Sequence, residues 1–330
     1  MKKINKSMKM VFIVWAPYSR RSKTLANEFG AKIYFIHWKF RRKIYWIFKY
    51  LIQFIKTILI LKKEKPEIIF AQNPPLFCPL TALIYSKIFG SRLVVDNHTL
   101  AFYGYWKRVS FLNNWILKNA DLVTLANEDL KKITNSYDVN SFVIESKIPN
   151  FGKMKKIKLK GKFNITVINT FSDDEPVDEI FKAIEKVPEI NFNITGDLKY
   201  AKSHYIKNKP KNVRYTGFIS GKKYIDLLKK SNAIMILTTE NHTMLSGAFE
   251  GVGVEKPLLI SNWSVLKNYF NAGVIYTNNK SENIVKAIKK IRREEKKLIE
   301  RIKILRKKRT VEWNLKFKKL KNMLKNLYNN

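Results

Sequence analysis

Continuous apolar runs recur along the chain at Met10–Trp15, Ala31–Trp38, Glu67–Gln72, Arg92–Asp96, Asp121–Ala126 and Ser141–Glu145. Runs of this length without polar alternation predict strands buried on both faces. Mixed segments between them predict helices at Ser22–Phe29, Phe40–Lys63, Thr81–Phe89, Val109–Asn119 and Glu128–Asn135. Gly30, Pro66 and Gly90 punctuate the ends of the first three. Gly152–Lys162 is polar and lysine-rich with glycines near its ends, the composition of a linker.

The pattern then restarts. Strands are predicted at Phe163–Asn169, Asn191–Thr195, Val213–Thr216, Ala233–Leu237, Pro257–Ser261 and Val274–Tyr276. Helices are predicted at Val177–Val187, Lys222–Lys230, Met244–Val254, Val265–Phe270 and Glu282–Arg292. Strict strand–helix alternation implies right-handed crossovers and mainly parallel sheets. The expected fold class is therefore α/β, with one doubly wound domain over 1–155 and a second over 163–293. Residues 294–330 read as basic C-terminal helices. The stripe Trp313, Phe317, Leu320 and Leu324 predicts that they pack back on the body, with a membrane-binding tail as the other reading.

Composition changes this picture in two ways. Hydrophobic residues make up 45% of the 330, enough for two cores, and the single cysteine, Cys78, excludes an intrachain disulfide. A reducing, cytoplasmic location is expected. The apolar run Met10–Ala16 is also too short for a secretory h-region. Second, 64 Lys and Arg face 26 acids, a formal charge of +38. Such a surface suits nucleic acid, anionic lipid headgroups or phosphorylated substrates, although a compositional bias of the genome also fits.

The longest apolar stretch, Ile44–Leu61, is interrupted by Lys49, Gln53 and Lys56, so it reads as an amphipathic or buried helix and not as a span. Tyr45, Trp46, Phe48, Tyr50 and Phe54, interleaved with Arg41, Arg42, Lys43 and Lys49, suit a peripheral contact with an anionic membrane surface.

Doubly wound sheets bind ligands beyond the carboxyl ends of their strands. Ala233–Leu237 leads through a polar loop holding His242 and Thr243 into a helix with Ser246, Gly247 and Glu250. Its start offers unpaired N–H groups and a positive dipole end, which suit a diphosphate approaching at Gly247. Glu250 can accept hydrogen bonds from a vicinal diol such as ribose; a capped helix with one exposed glutamate reads equally well. Thr170–Pro176 has acids at a helix start, as simple capping would. Arg92–Val95 ends in Asp96-Asn97-His98, where His98 could act as a general base oriented by Asp96, or be structural. Tyr103, Gly104 and Trp106 follow as a candidate acceptor loop. No GxGxxG or Walker-type loop is present, and His37, His98, His204 and His242 are too scattered to suggest a metal site.

Phe70–Pro75 together with Gly90–His98 resembles the first domain of GT-B glycosyltransferases, and within them the chitobiosyldiphosphodolichol β-mannosyltransferases. Asn119–Thr124 resembles a helix–strand step of the same superfamily. Thr170–Pro176, Gly196-Asp197, Tyr215–Gly217 and Glu250–Ser261 resemble the glycosyltransferase family 4-like (group 1) proteins. The resemblance implies two Rossmann-like domains facing across a cleft. It implies a UDP- or GDP-sugar as donor, no metal and no cofactor, and an acceptor such as a polyprenol-linked glycan at the cytoplasmic face of a membrane.

Carried over residue by residue, the resemblance gives Glu250 the nucleotide ribose. Ser246, Gly247, His242, Thr243, Thr170, Ser172 and Gly217 fall in the donor-binding set. The family motif has two glutamates seven residues apart; His242 stands where the first belongs. The family's glycine-rich loop after the first strand is replaced by Pro17–Arg21. Two other classes remain open: a basic nucleic-acid-binding protein, for which no recognition module is present, and an inactive scaffold, which the His242 departure would suit.

Overall fold

A computed structural model describes residues 8–38, 46–152 and 163–329. Residues 153–162 of the expected linker lie outside these, as do 39–45, which include Arg41, Arg42, Lys43 and Tyr45. The chain divides into two compact units, 1–147 with 313–330, and 148–312.

The first unit runs β1 (Met10–Val14), α1 (Arg20–Phe29), β2 (Lys32–Phe35), α2 (Trp46–Glu64), β3 (Ile68–Asn73), α3 (Phe77–Phe89), β4 (Arg92–Asn97), α4 (Ser110–Asn119), β5 (Leu122–Leu125), α5 (Glu128–Asn135) and β6 (Ser141–Val143). Its strands form a parallel sheet in the order β2-β1-β3-β4-β5-β6. β1, β3 and β5 are buried along their whole length, which is why no alternation marks them in the sequence.

The second unit runs β7 (Asn164–Val167), α6 (Val177–Glu185), β8 (Asn191–Thr195), α7 (Ser203–Lys207), β9 (Val213–Gly217), α8 (Gly221–Lys230), β10 (Ala233–Ile236), α9 (Ser246–Gly253), β11 (Leu258–Ser261), α10 (Ser264–Tyr269), β12 (Val274–Thr277), α11 (Ser281–Arg293) and the start of α12 (Glu295–Asn329). Its parallel sheet has the order β12-β11-β10-β7-β8-β9. The strand order reverses between β7 and β10, the place where doubly wound sheets open a ligand crevice.

From Trp313 onward α12 belongs to the first unit. There Trp313, Phe317, Leu320 and Leu324 are buried against Phe12, Phe70 and Leu122. The Trp313 indole N–H donates to the Glu145 carbonyl (3.0 Å), so its one polar atom is also satisfied.

Helix α2 carries apolar residues on both its inner and outer faces, and its inner face also buries a line of polar side chains. Gln53, Thr57, Leu61 and Glu64 face inward, with Gln53 Nε2 donating to the Ile36 carbonyl (2.6 Å) and Thr57 Oγ1 accepting from Trp15 Nε1 (2.9 Å). Ile47 (67% exposed), Phe48, Leu51, Ile55 and Leu59 (61%) face outward, as do Ile84, Ile88 and Phe89 of α3. This corrects the expected interface set. Trp46 and Phe48 are exposed, whereas Tyr50 and Phe54 pack on the first unit's core. No described helix is long and apolar enough to cross a membrane.

Candidate functional site

In the second unit the two loops at the strand reversal are tied together. The Asp174 carbonyl accepts both the backbone N–H (2.7 Å) and the hydroxyl (3.1 Å) of Thr239. Thr238 is anchored from the next strands: its N–H donates to Ser261 Oγ, and its carbonyl accepts from Trp263 Nε1 and Asn279 Nδ2, each within 2.9 Å. The loop carrying His242 and Thr243, both partly buried, thus enters α9 from a fixed position.

The β7 loop is closed on itself. The N–H groups of Thr170 and Ser172 and the Thr170 hydroxyl donate to the Glu175 carboxylate at 2.9 to 3.2 Å. Phe171 between them takes a left-handed φ of 61°, and its own N–H donates instead to Asn169 Oδ1 at 2.8 Å. Burial pushes the Glu175 carboxyl up, against the opposing hydrogen bonds from Thr170 and Ser172. Thr170 and Ser172, expected in the donor-binding set, therefore have these donors already engaged by an internal carboxylate.

Helix α9 begins at Ser246, two residues later than expected, because the loop stays extended through Leu245. No side chain caps this end and no acid lies in its first turn, which leaves it the electropositive terminus that suits an anion. Gly247 has a reason the sequence reading missed. A Cβ there would stand 2.8 Å from Ile168 Cδ1 and 3.2 Å from Ile236 Cγ1. One turn on, a Cβ at Gly251 would stand 2.3 Å from Leu258 Cδ2. The two glycines lay the helix backbone directly on the sheet. The visible signal was their spacing of four, which puts both on one helix face.

Glu250 is half-buried, and its Oε2 accepts a hydrogen bond from the Tyr224 hydroxyl on α8 at 2.6 Å. Gly217 ends β9 with a φ of 66°, which a glycine adopts without strain, and Phe218 beyond it is 76% exposed.

In the first unit His98 and Asp96 come together: His98 Nε2 lies 3.1 Å from Asp96 Oδ2. Asp96 is 1% exposed and collects further partners. Arg21 Nε donates to Oδ1 (2.8 Å), Thr124 Oγ1 to Oδ1 (3.0 Å) and Ser22 Oγ to Oδ2 (3.3 Å). Burial pushes the carboxyl up, but the Arg21 guanidinium and the neighbouring His98 imidazole more than offset it and hold it well below the usual carboxylate range. Arg21 Nη1 also donates to the Ile144 carbonyl at 2.5 Å. Arg21 and Ser22 lie in the first turn of α1, just after β1. Behind them Asn73 Nδ2 donates to both Asn97 Oδ1 (2.6 Å) and Asn113 Oδ1 (2.8 Å), fixing the ends of β3 and β4. Among the described residues no group of three His, Cys, Asp or Glu side chains forms a metal-ligand set.

Residues 177–313 match the family described as glycosyl transferase-like. No curated protein sequence matches the chain. Among solved structures the chain is similar to HepE of Anabaena, determined with UDP and glucose, with a TM-score of 0.72 at 12% identity over 96% of this chain and 99% of that one. It is similar to sucrose-phosphate synthase of Thermosynechococcus elongatus, with a TM-score of 0.74 at 11% identity over 97% and 99%. It is also similar to a glycosyltransferase of Rickettsia africae, with a TM-score of 0.69 at 13% identity over 97% and 100%. At these identities the likeness is one of fold: two parallel-sheet α/β units of the GT-B class.

Proposed function

We propose that this protein transfers a sugar from a nucleotide-diphosphate sugar to an acceptor hydroxyl. The observation that carries the reading is Glu250, held by Tyr224 one turn into an uncapped helix at the strand reversal of the second unit. It lies inside the segment that matches a glycosyl transferase-like family. Solved HepE structures with UDP and with UDP-glucose support a uridine nucleotide as the first donor to test.

In this reading Glu250 accepts hydrogen bonds from the ribose hydroxyls. The diphosphate lies at the Ser246 and Gly247 N–H groups, and the base near Gly217. Charge on the leaving diphosphate grows in the transition state, so the helix start contributes most at that moment. Glu175 closes the Thr170–Ser172 loop, so that loop shapes the site and donates to phosphate only when Glu175 yields. His98 is the acceptor-side base if configuration inverts, with Asp96 and Arg21 as its positioning residues. No metal or cofactor takes part.

The acceptor is a lipid-linked glycan met at an anionic, cytoplasmic membrane surface. The outward apolar face of α2 and α3 supports this. Monomeric soluble proteins seldom expose contiguous apolar area of this kind, and Lys49, Lys56 and Lys62 flank it.

A thermal-shift panel of UDP-, GDP- and dTDP-sugars identifies the donor. Glu250→Ala is expected to abolish the shift and the transfer; normal transfer by this variant would overturn the site. Flotation with anionic vesicles at low salt tests the membrane part, and loss of flotation in Ile47→Ser/Leu51→Ser is the expected control.

A further inference from the structure

A groove of about 570 Å³ in the second unit lies along the outer edge of its sheet, and no residue of α9 lines it. Its floor is β12 with its flanking residues, from Asn271 to Asn278. One wall is α11, contributing Asn283, Lys286 and Lys290, and Arg301 of α12 also lines it. On α11 these residues fall at spacings of three and four, so one helix face lines the groove.

β12 is the terminal strand of its sheet among the described residues. Its register against β11 pairs Leu258 with Val274 and Ile260 with Tyr276. Leu258 N–H donates to the Gly273 carbonyl and Asn262 N–H to the Thr277 carbonyl. In a parallel ladder alternate residues serve one neighbour. Gly273, Ile275 and Thr277 therefore serve β11, and Val274 and Tyr276 direct their N–H and C=O groups outward along the groove.

The strand itself, Val-Ile-Tyr-Thr, is uncharged. Lysines that protect a sheet edge from pairing sit on the edge strand. Here the charges sit on the walls and leave the strand open. Lys286, Lys290 and Arg301 make no ion pair with any described residue, and all three are exposed.

We propose that this groove binds an extended acidic peptide segment of a partner protein. The segment adds as a strand to β12, and its carboxylates meet Lys286, Lys290 and Arg301. An open strand beside a helix is the arrangement by which domains capture peptides through strand addition, with main-chain bonds giving affinity and wall residues giving specificity. The volume falls within the range of sites that enclose a small ligand. A segment of about four residues matches the four-residue strand.

The test uses the full-length protein and a fluorescein-labelled peptide of alternating valine and glutamate, followed by anisotropy at about 50 mM salt. Saturable binding is expected, weakened about tenfold or more by Lys286→Glu/Lys290→Glu and by Arg301→Glu. The same peptide N-methylated at alternate residues keeps its charge but cannot pair as a strand, and it is expected to bind at least about tenfold more weakly to the unaltered protein. Equal binding of the methylated peptide, unchanged binding by the variants, no saturable binding, or equal displacement by an oligonucleotide of the same charge would each overturn the proposal.

Discussion

Two buried or half-buried carboxylates sit near the carboxyl ends of sheet strands, Asp96 within β4 of the first unit and Glu175 in the loop after β7 of the second, and the fold treats them oppositely. Asp96 faces a guanidinium, an imidazole and two hydroxyls, and its carboxyl is held down despite near-complete burial. Glu175 receives only backbone N–H groups and one hydroxyl, and burial prevails. A full countercharge outweighs desolvation where dipoles of a half-exposed loop do not. The first unit thus carries a fixed ionised centre beside His98. The second carries an anion that closes a loop of donors and gives up its charge more readily.

The largest effect should come from breaking the ionised centre. Asp96→Ala leaves Arg21 buried without a counterion, which costs about 3–5 kcal/mol. Urea denaturation of the full chain measures it. Replacing both partners, as Arg21→Met with Asp96→Leu, should cost much less than either single change, because no charge is left unpaired. A double variant as unstable as the singles would show that Asp96 matters through packing.

The second effect separates the two carboxylates by the sign of their pH dependence. A depressed folded pKa contributes stability that is present above the unfolded value, about 4 for Asp, and is lost as pH falls below it. Relative to Asp96→Asn, the wild type should therefore lose stability below about pH 4. A raised folded pKa acts in reverse. Folded Glu175 takes up its proton before the unfolded chain does, so the wild type should gain on Glu175→Gln as pH falls from neutrality. Glu64, held down to about 2 by the Tyr34 hydroxyl and Lys32, contributes alike to wild type and variants and cancels. Denaturation midpoints at several pH values decide it, and slopes of the same sign for both variants would erase the contrast.

The sequence shows one part of this more clearly than the other. Strands buried on both faces leave unbroken apolar runs, so the inner strands of both sheets and their parallel direction were legible, but not the strand order or the partial exposure of β2, β9 and β12. Asp96 and His98 were legible as neighbours because two residues at a strand end share a face. Arg21 was not: it lies 75 residues from Asp96 and is one of 64 basic residues, so nothing local distinguishes it. Nor could the sequence show that Glu175 would claim the N–H groups of Thr170 and Ser172, because capping and phosphate binding require the same residues. The buried polar line of α2 stayed hidden for a related reason. Periodicity finds a helix with two unlike faces, but only packing against Ile36 and Trp15 shows that Gln53 and Thr57 face inward.

A third, smaller effect sharpens what a glycine at the helix start is for. Gly247→Ala places a Cβ against Ile168 Cδ1 and Ile236 Cγ1, an overpacking cost of about 1–3 kcal/mol. Ile168→Val removes the closer methyl, so the double variant should be less destabilised than the sum of the singles. Strict additivity would mean that Gly247 serves close approach by a ligand and not helix–sheet packing.

The smallest effect on stability falls on Tyr224, and it carries the comparison to the proposed donor site. The partner of Glu250 is a neutral phenol on a half-buried carboxylate, so Tyr224→Phe removes one hydrogen bond and strands no charge. The expected loss is about 1.5 kcal/mol, the low end for a hydrogen bond to a charged group because the carboxylate is half-exposed, and under that of Asp96→Ala. If the carboxylate receives a ribose, releasing it from Tyr224 lets it turn away from the diol. Affinity for UDP should then fall by about three- to tenfold, while affinity for a 2′-deoxy analogue falls less. Calorimetric titration of both nucleotides reads this directly. Equal losses for the two would place Tyr224 outside ribose recognition, and a stability loss as large as that of Asp96→Ala would mean that both units anchor their carboxylates for the fold.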